Sequence, residues 1–169
     1  MCDGMDENKI LVGMGEFAVA HNPHTLGVIG LGSCIGVALY VKDDHFGGLA
    51  HIMLPLSTEF DRNIDNPLKY ADLGIAAMFK KMHTFNSGLD ASHVTAKIAG
   101  GAHMFSGMNV SESMNIGKRN AVAVKDTLKS LGIRLVAEDT GGNHGRTINF
   151  DLTTGEVSVC SQLHEIKII

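Results

Sequence analysis

Eight short apolar segments, most of them rich in β-branched residues, set the limits on this fold. They cover residues 27–29, 35–41, 48–54, 94–99, 133–138, 147–151, 156–161 and 165–169. Runs this short, separated by glycine and polar clusters, read as strands. Helical periodicity is confined to two stretches. Asn66-Pro67 offers a cap followed by proline at a first helical position, and Leu68, Ala71, Ile75, Met78, Phe79 and Met82 then recur at three- and four-residue spacing, predicting a helix to about residue 85. The second helix is predicted over residues 116–131, with Asn115 as its cap, Ala121, Val124, Leu128 and Leu131 on one face, and Gly132 to end it. Asp151-Leu152-Thr153-Thr154-Gly155 lies between two strand segments and reads as a hairpin turn. Many strands with two well-separated helices predict an α+β fold, a layered α/β sandwich of mainly antiparallel or mixed strands carrying two principal amphipathic helices.

The 169 residues contain no internal repeat and no low-complexity linker, so a single domain over 1–169 is expected, with residues 1–9 as a flexible tail. Aromatic residues are only 5% of the chain and Trp is absent, which leaves Val, Ile, Leu, Ala and Met to fill the core. Fourteen basic and eighteen acidic residues without a run of either sign give no footprint for nucleic acid or anionic lipid. No apolar stretch approaches the roughly 18 residues of a membrane span, and Asp3, Asp6 and Glu7 replace the basic start of a signal peptide. A cytoplasmic protein with no direct membrane insertion is expected. Cys2, Cys34 and Cys160 are odd in number and widely spaced, which argues against a disulfide framework and against a cysteine zinc site.

Chemistry concentrates around one cysteine. Gly30-Leu31-Gly32-Ser33-Cys34 puts a thiol at the end of a glycine-rich turn, directly before an apolar strand, where free backbone N–H groups could hold an oxyanion. A thiol needs a base to act as nucleophile near neutral pH; the alternative is a buried structural cysteine. His51, the one imidazole inside the apolar run 48–55, is the candidate base. Arg119 and Asn120, near the start of the second helix, are candidates to contact a carbonyl or carboxylate of a ligand, the alternative being a surface cap and a solvated arginine. Gly100-Gly101 follows a strand but lacks the residues of a phosphate-binding loop. His21 and His24 have no accompanying carboxylate or cysteine cluster, so no metal is expected.

A set of ordered motifs spans nearly the whole chain. Gly15-Glu16-Phe17-Ala18-Val19, Gly30 to Cys34, Ala50-His51-Ile52-Met53-Leu54-Pro55, Lys69-Tyr70-Ala71-Asp72, Lys97 to Ala102 with Met104-Phe105, Ile116 to Asn120, Ala137 to Gly142, and Gly145-Arg146 together resemble the CheD family of chemotaxis proteins. The resemblance implies a cysteine hydrolase on an α/β sandwich, similar in catalytic arrangement to the deamidating domain of cytotoxic necrotising toxins. Its implied substrates are glutamine side chains in the cytoplasmic domains of methyl-accepting chemoreceptors, with glutamate methyl ester as a further substrate. The implied roles are Cys34 as nucleophile and His51 as general base, without any cofactor. Gly32, Arg119 and Asn120 are expected to bind substrate or partner, and a CheC-type phosphatase is an implied second partner.

One position departs from the family pattern. The threonine that orients the histidine lies six residues before the cysteine, where this chain has Val28. Thr25 and Ser33 are the nearby hydroxyls, as histidine-orienting or oxyanion groups; Thr25 would face the opposite side of a regular strand unless a bulge re-aimed it. The competing expectation is a silenced module that binds receptors and the phosphatase without turnover.

Overall fold

The computed structural model describes residues 7–60, 65–104, 115–161 and 165–169. In chain order the elements are β1 (Lys9–Leu11), β2 (Phe17–His21), β3 (Thr25–Leu31), β4 (Ile35–Val41), β5 (Phe46–Ile52), α1 (Ala71–Met82), β6 (Val94–Gly100), α2 (Ile116–Ser130), β7 (Arg134–Thr140), β8 (Arg146–Asp151), β9 (Val157–Ser161) and β10 (Ile166–Ile168). The strands form two five-stranded sheets, ordered β1-β3-β8-β9-β10 and β2-β5-β4-β6-β7. Pairing is antiparallel except for β1 with β3 and β6 with β7. The parallel β6–β7 pair follows from the intervening helix, since parallel neighbours need a crossover connection.

Three layers result. One face of the second sheet packs on the helices, where Ile35, Val37, Leu39, Ala50 and Ile52 meet Ile75, Met78, Val124 and Leu128. Its other face packs on the first sheet, where Ala38 and Leu49 meet Leu26, Val28, Leu31, Ile148 and Phe150. Strands β4 and β5 are therefore buried at every residue, which explains why their sequences read as continuous apolar runs. Strand β8 is covered on one side only, and its burial alternates. The expected layered sandwich of mixed strands with two amphipathic helices is the fold observed.

Local departures have local causes. Asn66 caps not α1 but a 3-10 turn, Pro67–Lys69, its side chain accepting from the Leu68 N–H at 3.0 Å. Tyr70 then returns to extended backbone, and α1 starts at Ala71 and stops at Met82. Helix α2 behaves as expected, with Asn115 accepting from the Lys118 N–H at 3.1 Å and Gly132 adopting φ 74° after its end. The β8–β9 hairpin closes through Asp151 and Gly155. Strands β1 and β2 have no counterpart among the eight predicted segments, and Lys9, assigned to the tail, opens β1. The calls on Cys2, Phe105 and residues 1–6 of the tail lie outside the described residues, whereas Asn8 already accepts from the Thr25 N–H at 3.1 Å.

The first turn of α2 is seated on the loop after β6. A Cβ at Gly117 would collide with the carbonyl oxygens of Gly101 and Ala102. Gly117→Ala is expected to push the helix off that loop and to lower stability by about 1–3 kcal/mol, the range for overpacking a tight contact. A fall in the urea midpoint checks this; an unchanged midpoint would show that the contact yields freely.

Candidate active site at the β3–β4 turn

The β3–β4 turn is held through consecutive carbonyls. The Gly32 carbonyl accepts from the Ala102 N–H at 2.9 Å, the Ser33 carbonyl from Asn120 Nδ2 at 2.9 Å, and the Cys34 carbonyl from the Gly101 N–H at 2.8 Å. The loop at residues 100–102 can come this close because Gly100 has φ 116° and a Cβ there would strike the Cys34 carbonyl. In a trans peptide the N–H points opposite to the preceding carbonyl. The N–H groups of Ser33 and Cys34 therefore face away from the 100–102 loop and from α2. Neither donates to a backbone carbonyl among the described residues.

Cys34 is half-buried and packs against the core between the sheets. It is the free cysteine among the described residues. His51 lies on β5, directly opposite Gly36 of β4. Cys34 precedes Gly36 by two residues, so Cys34 and His51 stand as diagonal neighbours on the face between the sheets, within reach for an aromatic ring. Gly36 presents no side chain between them.

His51 is only 3% exposed. Its backbone is fixed on both sides, its N–H donating to the Glu16 carbonyl and its carbonyl accepting from the Gly15 N–H, each at 3.0 Å. Neither ring nitrogen has a hydrogen-bond partner among the described residues. Burial pushes the imidazole pKa below its ordinary value, and the backbone of Val12 acts in the opposite sense. Burial likewise raises the Cys34 thiol, opposed by the residue's own backbone N–H. The resting pair is therefore a neutral thiol beside a neutral imidazole, a combination in which the imidazole can still accept a proton.

The remaining predicted residues separate into groups. Gly32 and Ser33 belong to the turn itself. Val28 is 1% exposed and faces the core between the sheets. Thr25 lies at the far end of β3, opposite Asp151, whereas Leu31 at the near end is opposite Arg146. The register shift falls between Val28 and Leu31, beyond Thr25, so it does not re-aim the threonine toward Val28's face. Arg119 is ion-paired with Glu59, and the two line a groove of about 370 Å³ with Leu56 and Val122. Asn120 is fully buried and contacts carbonyls of the protein's own backbone. Gly100 and Gly101, set aside as a phosphate loop, instead form a wall of the turn; their pairing with a strand end was the available signal. No group of three or more His, Cys, Asp or Glu side chains able to hold a metal occurs among the described residues.

Comparison with known proteins agrees with these motifs. The family described as CheD chemotactic sensory transduction matches residues 53–161. A protein of Desulforamulus reducens named "Probable chemoreceptor glutamine deamidase CheD" is 45% identical over 161 residues, covering 95% of both chains. The chain belongs to the CheD family. A Clostridium botulinum (strain Hall) protein of the same name is 48% identical over 155 residues, 92% of this chain and 94% of its own. The CheD family match begins just after His51, but a span covering 95% of the chain necessarily includes both Cys34 and His51. A solved structure, "Crystal structure of Bacillus licheniformis hypothetical protein YfiH", aligns with TM-score 0.45 and 14% identity over 73% of this chain and 49% of that one. No helix among the described residues is long and apolar enough to cross a membrane.

The raised Cys34 pKa has a direct consequence for this CheD protein. Only the thiolate reacts with iodoacetamide, so alkylation of Cys34 should climb as pH rises through a value above the roughly 8.5 of a free thiol. Peptide mass spectrometry of the Cys34 peptide across a pH series reads this. A rate already level below pH 7 would contradict the neutral resting pair.

Proposed function

We propose that this protein hydrolyses glutamine side-chain amides of methyl-accepting chemoreceptors to glutamate, with Cys34 as nucleophile and His51 as general base. The observation that carries the reading is the diagonal placement of Cys34 and His51 on one buried face, in a chain whose close relatives bear the name chemoreceptor glutamine deamidase.

The chemistry follows from the groups present. His51 accepts the thiol proton, and Cys34 Sγ bonds to the glutamine side-chain carbonyl carbon, forming a tetrahedral oxyanion. The N–H groups of Ser33 and Cys34, turned away from the 100–102 loop, are suited to receive that oxygen. Imidazolium then protonates the amide nitrogen, and the carbon–nitrogen bond breaks to release ammonia, leaving a γ-glutamyl thioester. Water, deprotonated by the same imidazole, adds to the thioester; glutamate departs and the thiol is restored. A glutamate methyl ester would follow the same course with methanol leaving. The sequence of steps needs no metal or organic cofactor.

Val28 keeps the shape of the family's threonine without its hydroxyl. The ring of His51 is therefore oriented by packing and by its fixed backbone rather than by a hydroxyl at that position. Looser orientation slows turnover without changing the reaction. The chemoreceptor substrate puts the protein in the cytoplasm. The CheC-type phosphatase is a proposed second partner, testable by its competition with a receptor fragment.

The direct test incubates a cognate receptor's cytoplasmic fragment with the wild type, Cys34→Ala and His51→Ala. Peptide mass spectrometry should show gains of about 1 Da at particular glutamines with the wild type and none with Cys34→Ala, while His51→Ala falls by at least about 10²-fold. Retained receptor binding with no mass gain in the wild type would favour the silent module.

A further inference from the structure

The side chain of Asn120 hydrogen-bonds to both halves of the proposed site. Its Nδ2 donates to the Ser33 carbonyl, the residue before the nucleophile, and to the Met53 carbonyl, two residues beyond the histidine, each at 2.9 Å. The side chain is completely buried, and its Oδ1 has no partner among the described residues. A buried asparagine with both amide protons spent on two separate main-chain segments is a cross-link between them, and losing it would take this partner from both the Ser33 and the Met53 carbonyl. Helix α2 is in turn fixed by the close seating of Gly117, three residues earlier, on Gly101 and Ala102. The asparagine therefore projects from a rigid base.

We infer that Asn120 is a positioning residue, which sets the tilt of the Ser33–Cys34 peptide and its separation from the strand carrying His51. The argument rests on peptide planarity. Anchoring the Ser33 carbonyl fixes the Cys34 N–H on the opposite side of the same peptide plane. That N–H is both a proposed oxyanion donor and the group that favours the thiolate of its own residue. One hydrogen bond from Asn120 thus acts on acylation through two routes, while the other keeps β5 in register with the turn. The inference deepens the deamidase reading and rests on it for the turnover consequence; the effect on thiol reactivity does not need that reading.

The test compares wild type, Asn120→Ala and the isosteric Asn120→Asp, with Thr127→Val as a control. Thr127 is a buried residue of the same helix whose hydroxyl donates to the Ala123 carbonyl, away from the turn. Receptor-fragment deamidation should lose about 10²-fold in kcat with KM unchanged, the scale of a small displacement of reacting groups. Cys34 alkylation should slow several-fold at a fixed alkaline pH, its inflection moving further up, while Thr127→Val alters only the melting temperature. Asn120→Asp carries the test if the alanine variant does not fold. A folded Asn120 variant with the wild-type alkylation profile overturns the inference, whether or not its kcat falls. Failure of both variants to fold overturns it too, assigning Asn120 to core stability alone. If the wild type deamidates nothing while the alkylation profile moves as expected, the positioning role stands and the deamidase reading falls.

Discussion

The anchoring of consecutive carbonyls, at Gly32, Ser33 and Cys34, is the constraint on which the site depends. Two of the donors are backbone N–H groups of the loop after β6, and the third is a side-chain amide from α2. A turn left to itself can rotate its peptide planes at small cost. Here each plane is fixed by a partner in the loop after β6 or in α2, so the orientation of the N–H groups beside the thiol depends on how that loop and helix pack against the turn. The glycines at 100 and 117 serve this end by allowing backbone to approach backbone where any side chain would intrude.

Burial between the sheets has opposing effects on the proposed reacting pair, Cys34 and His51. Low polarity disfavours both the thiolate and the imidazolium, so the site rests uncharged. It also strengthens any hydrogen bond offered to charge that develops during reaction. A site arranged in this way spends little on holding charge in the absence of substrate. In the proposed mechanism, proton transfer from Cys34 to His51 becomes favourable only as an electrophilic carbonyl arrives to take the electron pair. The fixed backbone of His51, bonded on both sides to the 15–16 segment, limits how far the ring must be held by a hydroxyl such as the family's threonine.

Much of the architecture was legible in the chain because β4 and β5 are buried on both faces and leave nearly continuous apolar runs, while β6 alternates buried residues with the partly buried Thr95 and Lys97. Strands β1 and β2 were not, since Lys9–Leu11 is only three residues long and Phe17–His21 draws its identity from pairing with β5 rather than from its own composition. The start of α1 was misjudged for a related reason: Asn66-Pro67 is a genuine cap, but of a 3-10 turn that Tyr70 interrupts. Cys34 and His51 were readable as an isolated cysteine and histidine in apolar surroundings. The task of Asn120 was not, because a polar residue one turn into a helix carries no mark of what lies beneath it. Only the tertiary contact of α2 with the turn turns an expected surface group into an internal tie. The failure of Thr25 to substitute for the missing hydroxyl is also tertiary, because it depends on where the β3 irregularity falls.

The central claim is that catalysis passes through a covalent bond at Cys34, supported by His51. The measurement that addresses it most directly is intact-protein and peptide mass spectrometry of rapidly quenched mixtures of receptor fragment with His51→Ala and with the wild type. The account predicts a receptor adduct on Cys34 that hydroxylamine removes, as expected for a thioester, and that accumulates more in whichever protein is slower in deacylation than in acylation. Deamidation that proceeds at the wild-type rate with Cys34 replaced by serine or alanine, or an adduct confined to another residue, would contradict it.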